Sequence, residues 1–385
     1  MKLSSKYIYI YILLFALIIV ACSRKANNDN LVINLNPSNA KPINLQEWCK
    51  SIELVQLETV PKSLIASCHK IIEHDGRYYL LDLDQRAVFV FNKLGQFVFS
   101  TKDLIGKGPN EYASLVDFNI NMLNDEIEIL DAPSRKIKVY NLDGSFNRAI
   151  QLAPELLPLG HFNPITKDTY VFYTKGGQQR DESLLFYSLK SKKIIKKAGK
   201  LPDNVHFLPT TMNVPFHQIS EQVHFNYTFP SNSIYLIDKK QFDIIKILEL
   251  DFGEFNFIID DLPKKGKKDF YRKFMKDNNK YAFIINIAES DKILFVHFLL
   301  HDKIFIAKIN KTTRETTICF NDTNSMGQLP PPNLIKDNVL TYVCEPGYLR
   351  YVISEELLDN TSKNIISNIN ESDNPVIIKY TLRDN

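Results

Sequence analysis

The chain has 385 residues, with 47 Lys and Arg against 44 Asp and Glu and a formal net charge of +3. No global field therefore marks it for nucleic acid or an acidic polymer, and any charged site must be local. It is rich in Phe (25) and Tyr (18) and poor in Gly (13), which suits strands packed face to face; at this length either two domains or one repetitive body is expected.

In chain order, Lys2 and Lys6 provide a positive flank to an uninterrupted apolar run of 15 residues, Tyr7 to Ala21. A membrane-spanning helix needs about 20 such residues, whereas a run of roughly 7 to 15 closed by a small residue reads as a cleaved export signal. The run ends in Ile19-Val20-Ala21-Cys22. These residues resemble the lipobox of bacterial lipoproteins, in which the thiol after the cleavage point, here Cys22, is acylated and becomes the new N-terminus. The expected organisation is a signal peptide over 1–21, a lipidated linker over 22–30, and a single body over 31–385. Ser23-Arg24-Lys25 lacks Asp after the cysteine and lacks an acidic tract; by analogy with lipoprotein sorting, this points to the outer membrane, on its periplasmic side rather than the cell surface.

The next elements form a repeat. Asp82 matches Asp131, Arg86 matches Arg135, Phe91-Asn92 matches Tyr140-Asn141, Gly95 matches Gly144 and Phe97 matches Phe146, each 49 positions apart. Each copy is an apolar run ending in Leu-Asp, a polar turn, a second run such as Val88-Phe89-Val90-Phe91, a turn closed by Gly, and a third run. That is an antiparallel meander, with Gly free to take positive φ in its turn. A period of 40 to 50 residues made only of strands marks propeller blades, whose sheets bury both faces by stacking on their neighbours.

Degraded copies follow at Thr169 to Tyr173 with Leu184 to Lys197, at Ser233 to Asp238 with Ile244 to Phe252, and at Ile293 to Leu299 with Lys303 to Ile309 and Thr316 to Phe320. The chain closes on Val339 to Cys344 and Val376 to Leu382. The predicted fold is all-β, a six-bladed β-propeller of four-stranded antiparallel blades. A strict period would fit seven blades, the alternative; insertions near 253 to 280 and 353 to 374 favour six.

Ile52 to Thr59, the Gly106-Lys107-Gly108-Pro109-Asn110-Glu111-Tyr112 loop, the Leu-Asp repeats, Leu250-Asp251-Phe252-Gly253 and Asn374-Pro375-Val376-Ile377 together resemble a bacterial family of six-bladed, NHL-like β-propeller lipoproteins of unknown function. The resemblance runs nearly end to end. It implies the propeller, the membrane anchor, and ring closure by an N-terminal strand near Ile52 to Leu57 pairing into a blade built mainly by the C-terminus, which leaves no free edge. It transfers no catalytic residue.

A residue present in every copy is read as structural, so Asp82, Asp131, Arg86 and Arg135 are assigned to turn-stabilising or blade-to-blade contacts. Unrepeated segments are the better candidates. Gly106, Lys107, Gly108, Pro109, Glu111 and Tyr112 form either a shaped connector or a ligand-facing loop, though not a phosphate loop, since the Lys-Ser or Lys-Thr such a loop requires is absent. Lys264, Lys265, Lys267, Lys268 and Arg272 open the most basic stretch, where Phe270 with Phe274 and Tyr271 with Met275 have helical spacing. It reads as a packed surface helix or as a basic lid.

Metal and nucleophile signals are weak. His297 and His301 lie in a strand-like run where four residues span about 13 Å, and His217 and His224 have no Cys or carboxylate at a ligand spacing. No metal and no cofactor is expected. Cys49, Cys68, Cys319 and Cys344 either pair after export or stay as buried thiols. The expected function is a membrane-anchored binding or scaffolding module for a protein, glycan or small-molecule ligand, with no nucleic-acid partner. The alternative is a propeller hydrolase or lyase whose catalytic groups meet at the central channel.

Overall fold

The computed structural model describes residues 31–156, 160–174, 181–201, 210, 214–258, 280–322 and 326–383. Its first three strands are β1 (Leu31–Asn34), β2 (Lys41–Pro42) and β3 (Cys49–Gln56). Blade 1 follows as β4 (Lys70–His74), β5 (Arg77–Asp82), β6 (Ala87–Asn92) and β7 (Phe97–Ser100), and blade 2 as β8 (Asp117–Asn121), β9 (Glu126–Asp131), β10 (Lys136–Asn141) and β11 (Phe146–Gln151). Blade 3 is β12 (His161–Thr166), β13 (Thr169–Tyr173), β14 (Glu182–Ser188) and β15 (Lys193–Lys200). Blade 4 is β16 (Phe216–Ile219), β17 (Gln222–Phe225), β18 (Ser233–Asp238) and β19 (Asp243–Asp251). Blade 5 is β20 (Phe283–Glu289), β21 (Ile293–Leu300), β22 (Lys303–Asn310) and β23 (Thr316–Phe320). Blade 6 joins β24 (Leu334–Lys336), β25 (Val339–Cys344) and β26 (Val376–Leu382) to β3. The protein is a six-bladed β-propeller.

The repeat makes physical sense once the cores are located. In Tyr78-Tyr79-Leu80-Leu81, alternate residues enter different clusters: Tyr79 and Leu81 pack with Phe118, Ile127 and Ile129 of blade 2, while Tyr78 and Leu80 pack with Val55 and Ile377 of blade 6. Side chains alternate across a strand, so a sheet apolar on both faces must be sandwiched. One such cluster fills each of the six gaps between neighbouring blades. Continuous apolar runs such as Val88-Phe89-Val90-Phe91, all fully buried, are the consequence.

Ring closure is as expected, with the strand bounds moved. The N-terminal partner is Cys49–Gln56 rather than Ile52 to Leu57, and it pairs antiparallel to β26 from Gln56↔Val376 to Cys49↔Leu382. Six blades rather than seven form because other stretches are spent on the rim. β1 adds a parallel fifth strand to β19, from Leu31↔Leu248 to Asn34↔Asp251, and β2 adds one to β23 at Lys41↔Cys319 and Pro42↔Phe320. The segment between β25 and β26 carries a helix, Asn360–Asn368, capped by Asp359, whose carboxylate accepts the Ser362 N–H at 2.7 Å. Ser362 Oγ in turn accepts the Leu54 N–H of β3 at 3.0 Å. Blades 4, 5 and 6 thus have their outer edges covered, which removes a template for edge-to-edge association.

The turn residues also behave as predicted. Asp82 accepts the N–H groups of Ala66 (2.7 Å), Ser67 (3.3 Å) and Gln85 (2.9 Å). Asp131 does the same for Ala113 (3.0 Å) and Ser114 (3.3 Å) and binds Ser134 Oγ at 2.6 Å. Each aspartate pins the segment that enters its own blade. Arg86 and Arg135 occupy left-handed positions in the following turn, at φ 55° and 54°. Cys49, Cys68, Cys319 and Cys344 are free thiols, and burial pushes those of Cys49, Cys68 and Cys344 up to about 12.

Candidate functional site at the central channel

The innermost strands β4, β8, β12, β16, β20 and β24 surround a channel of about 1050 Å³. At the end where these strands begin, a recess of about 420 Å³ opens between blades 1, 2, 3 and 4. Its walls are mixed: Leu81, Leu83, Val116 and Val214 are apolar, while His69, Lys70, Asp117 and His161 bring charge. A few convergent polar groups on an apolar wall are the usual make-up of a small-molecule site.

Three blades meet at Asp117, the first residue of β8. Lys70 Nζ of β4 approaches its Oδ1 at 3.1 Å and also donates to the Phe118 carbonyl at 2.6 Å. His161 Nδ1 of β12 lies 3.5 Å from Oδ2. The N–H groups of Phe118 (2.9 Å) and Phe162 (3.3 Å) also point at the carboxylate. Burial by itself would raise this carboxyl, but the Lys70 and His161 charges and hydrogen bonds hold it below the ordinary value. Asp117 is a clasp between blades, and it orients the His161 ring.

A second polar group lies deeper, between blades 4 and 5. His217 and His224 are directly opposed across the β16–β17 hairpin. His224 Nδ1 is 2.7 Å from Glu289 Oε2, and Lys311 Nζ is 2.7 Å from Glu289 Oε1. Burial works against the Glu289 charge, yet His224 and Lys311 together keep its carboxyl below the ordinary value. Burial drives the His217 imidazole down to about 4, and its Nε2 is buried without a hydrogen-bond partner. The same holds for Asn286 Oδ1, from a residue that lines the channel.

The sequence-derived candidates fall elsewhere. In the Gly106–Tyr112 loop, Tyr112 is fully buried, and its hydroxyl meets Thr101 Oγ1 at 2.8 Å and donates to the Arg86 carbonyl at 2.9 Å. Glu111 folds back to accept the Gly108 N–H at 2.8 Å, and a Cβ on Gly106 would sit 1.9 Å from its Oε2. Lys138 Nζ and Tyr140 Oη donate to the carbonyls of Pro109 and Asn110 at 2.7 and 2.9 Å. Lys107 is exposed, and no residue of the loop lines the recess or the channel. Lys264, Lys265, Lys267, Lys268 and Arg272, like Cys22, lie outside the described residues. His297 is buried in β21, while His301 sits in the turn after it at φ 49°. Among the described residues, the ligand atoms of His69, Asp82 and Asp84 fall within 4.8 Å of one another. However, His69 Nδ1 accepts the Leu83 N–H at 3.3 Å and Asp82 is spent on backbone amides, so this group closes a turn.

Sequence reasoning missed Lys70, Asp117, His161 and Glu289, because the residues that meet come from different blades with no fixed spacing. His217 and His224 were visible, and the signal was their symmetry about the Ser220-Glu221 turn, which a hairpin converts into a facing pair.

Fold and channel define a propeller with a polar-lined axial cavity. The chain belongs to the family described as Domain of unknown function (DUF4934), which matches residues 30–381. Among solved structures, a Bacteroides fragilis NCTC 9343 protein named as exported is similar at TM-score 0.70 and 18% identity, covering 92% of this chain and 99% of that one. A member of the DUF4221 family from Bacteroides vulgatus ATCC 8482 follows at TM-score 0.49 and 10% identity, over 87% and 98% of the two chains. Virginiamycin B lyase from Staphylococcus aureus, solved with quinupristin, stands at 0.42 and 15%, over 75% and 81%. These likenesses concern the fold alone. No curated protein matches the chain. Among the described residues, no helix is long and apolar enough to cross a membrane.

Proposed function

We propose that the protein is an exported, lipid-anchored propeller that binds a small ligand in the recess at the channel mouth, with Cys22 tethering it to the periplasmic side of the outer membrane. The observation that supports binding is the recess itself: apolar walls from Leu81, Leu83, Val116 and Val214, with His69 and His161 among them and the Lys70–Asp117 pair fixing the rim. The carboxylate is committed to Lys70, His161 and two backbone amides, so it serves to preorganise the recess. The lipobox-like Ile19-Val20-Ala21-Cys22 supports the anchor. A thermal-shift panel of metabolites, oligosaccharides and short peptides tests the reading. Hits should stabilise the wild type and not Leu83→Trp, which fills the recess; equal shifts in both would overturn it.

The Asp117–His161 pair supports a second reading, a hydrolase or lyase in which the carboxylate orients an imidazole base facing the recess. Turnover of a hit by the wild type, lost in His161→Gln with binding retained, would establish it. Binding without turnover would dismiss it.

A further inference from the structure

We propose a divalent transition-metal site on the facing imidazoles of His217 and His224, reached from the channel, with Zn²⁺ as the ion that fits its nitrogen donors.

The hairpin gives the pair its geometry. β16 and β17 are joined by Ser220-Glu221 and pair from Ile219↔Gln222 to Phe216↔Phe225, with His217 opposite His224. Directly opposed residues on antiparallel strands point to the same face with Cβ atoms about 5 Å apart, so both rings leave blade 4 on one side. Glu289, contributed by blade 5, shows that this is the side facing that blade.

The hydrogen bonds then choose the tautomers. A metal-binding histidine gives its second ring N–H to a carboxylate or a backbone carbonyl, which fixes the ring and leaves the other nitrogen's lone pair for the ion. Both histidines do this. His224 gives Nδ1–H to Glu289 Oε2 at 2.7 Å, and its Nε2 has only Gln222 Oε1, 3.4 Å away. His217 gives a ring N–H to the Val214 carbonyl, and its Nε2 is the buried, unpartnered atom, which leaves Nδ1 as the donor. The two Nε2 atoms therefore remain on one face, each ring held by an oxygen acceptor at Nδ1, and an ion would displace Gln222 Oε1, with any proton that His224 Nε2 shares with it.

Zn²⁺ is borderline-soft and accepts imidazole readily. Two protein nitrogens leave its remaining positions open toward the channel, whose lining includes His217, Asn286 and Glu289. His69, by contrast, uses Nδ1 as an acceptor of the Leu83 N–H and has no such arrangement. The metal site does not depend on the recess binding a ligand.

Titration of tag-free residues 31–385 with ZnCl₂ at pH 8, read by calorimetry and thermal melts, tests the site. The expected result is one Zn²⁺ per chain with a rise in melting temperature, both lost in His217→Asn and in His224→Asn. Glu289→Gln, which keeps both ligands and relaxes the ring behind one of them, should weaken binding about 10- to 100-fold. Melts without metal confirm that each variant is folded. If a variant does not fold, Co²⁺ added to the wild type replaces it, and nitrogen-coordinated visible bands quenched by Zn²⁺ support the site. No binding by the wild type, or the same binding in a folded double variant, would overturn the proposal.

Discussion

Asp82 shows how a repeated polar residue can be essential to the fold without itself lining the site. It is fully buried and satisfies three backbone amides. Replacing it with alanine strands those groups, so Asp82→Ala should cost on the order of 3 kcal/mol; urea melts measure the loss. Glycines separate in the same way. A Cβ on Gly95 (φ 83°) would lie 2.1 Å from the Gln56 carbonyl oxygen, whereas one on Gly76 (φ 67°) would meet nothing within 4 Å. Gly76→Ala should cost about 1 kcal/mol, the left-handed penalty alone; Gly95→Ala should cost clearly more, because the blade 1 turn must also move off blade 6.

Glu128 gives a pH signature at the same scale. It is fully buried between blades 2 and 3, accepts hydrogen bonds from Tyr170 and from Asn121 Nδ2, the latter at 2.8 Å, and burial pushes its carboxyl up to about 7. An unfolded glutamate titrates near 4.3. Between these values the folded state keeps a proton that the unfolded chain releases, so this contribution is present in full below about pH 4 and is lost as pH rises through 7. The stability of the wild type relative to Glu128→Gln should therefore fall from pH 5 to pH 8, as chemical denaturation at each pH would show. His217 and His297, pushed down by burial to about 4 and about 3, work in the opposite direction. The unfolded chain takes up protons below about pH 6.5 that the folded one refuses, and stability is lost as pH falls from there.

At the scale of elements, the two chain ends are unequal. β26 lies inside blade 6 between β25 and β3, and Val376, Ile377, Ile378 and Leu382 are fully buried. Deleting 375–385 removes about 6 to 12 kcal/mol of burial at roughly 1.5 to 3 per side chain, comparable with the whole stability of a domain, and should abolish the cooperative melt. β1 lies outside blade 4, and residues 31–35 bury fully only Ile33 and Leu35, with Leu31 partly buried beside them. Starting the body at residue 36 should cost no more than about 3 to 6 kcal/mol and leave a folded ring with a lower melting temperature. Thermal melts of 31–385, 36–385 and 31–374 place the three in that order. The strand pairs of the meanders were legible in sequence because each is local and ends in a turn. The rim strands β1 and β2 were not, because a four-residue and a two-residue strand have too little pattern of their own and gain their hydrogen bonds from distant partners.

For the whole molecule, the proposed lipid anchor can be tested apart from the ring. Cys22→Ala should block both acylation and removal of the signal, so that mass spectrometry of the membrane fraction finds neither the lipid mass nor the processed N-terminal peptide, with the melt of the body unchanged. An unmodified, soluble wild type would remove the anchor, and digestion of the body by protease on intact cells would remove its periplasmic placement.

The sequence by itself determined the blades. A 49-residue spacing of Leu-Asp ends and glycine turns, together with strands apolar on both faces, leaves stacked antiparallel sheets as the way to bury what it encodes. It also set the structural role of Asp82 and Asp131, because repetition distinguishes a turn from a site. Tertiary structure decided the number of blades, since only the closed ring shows residues 31–48 spent on the rim and 345–375 on a segment carrying the helix that covers β3. It likewise decided the channel chemistry. Lys70, Asp117 and His161 are separated by 47 and 44 positions and become neighbours because three inner strands begin at one end of one axis. Likewise, Glu289 reaches His224 only across the gap between two blades. Local sequence records the order of residues along each strand; which strands stand side by side is fixed by burial of their faces, and the site follows from that.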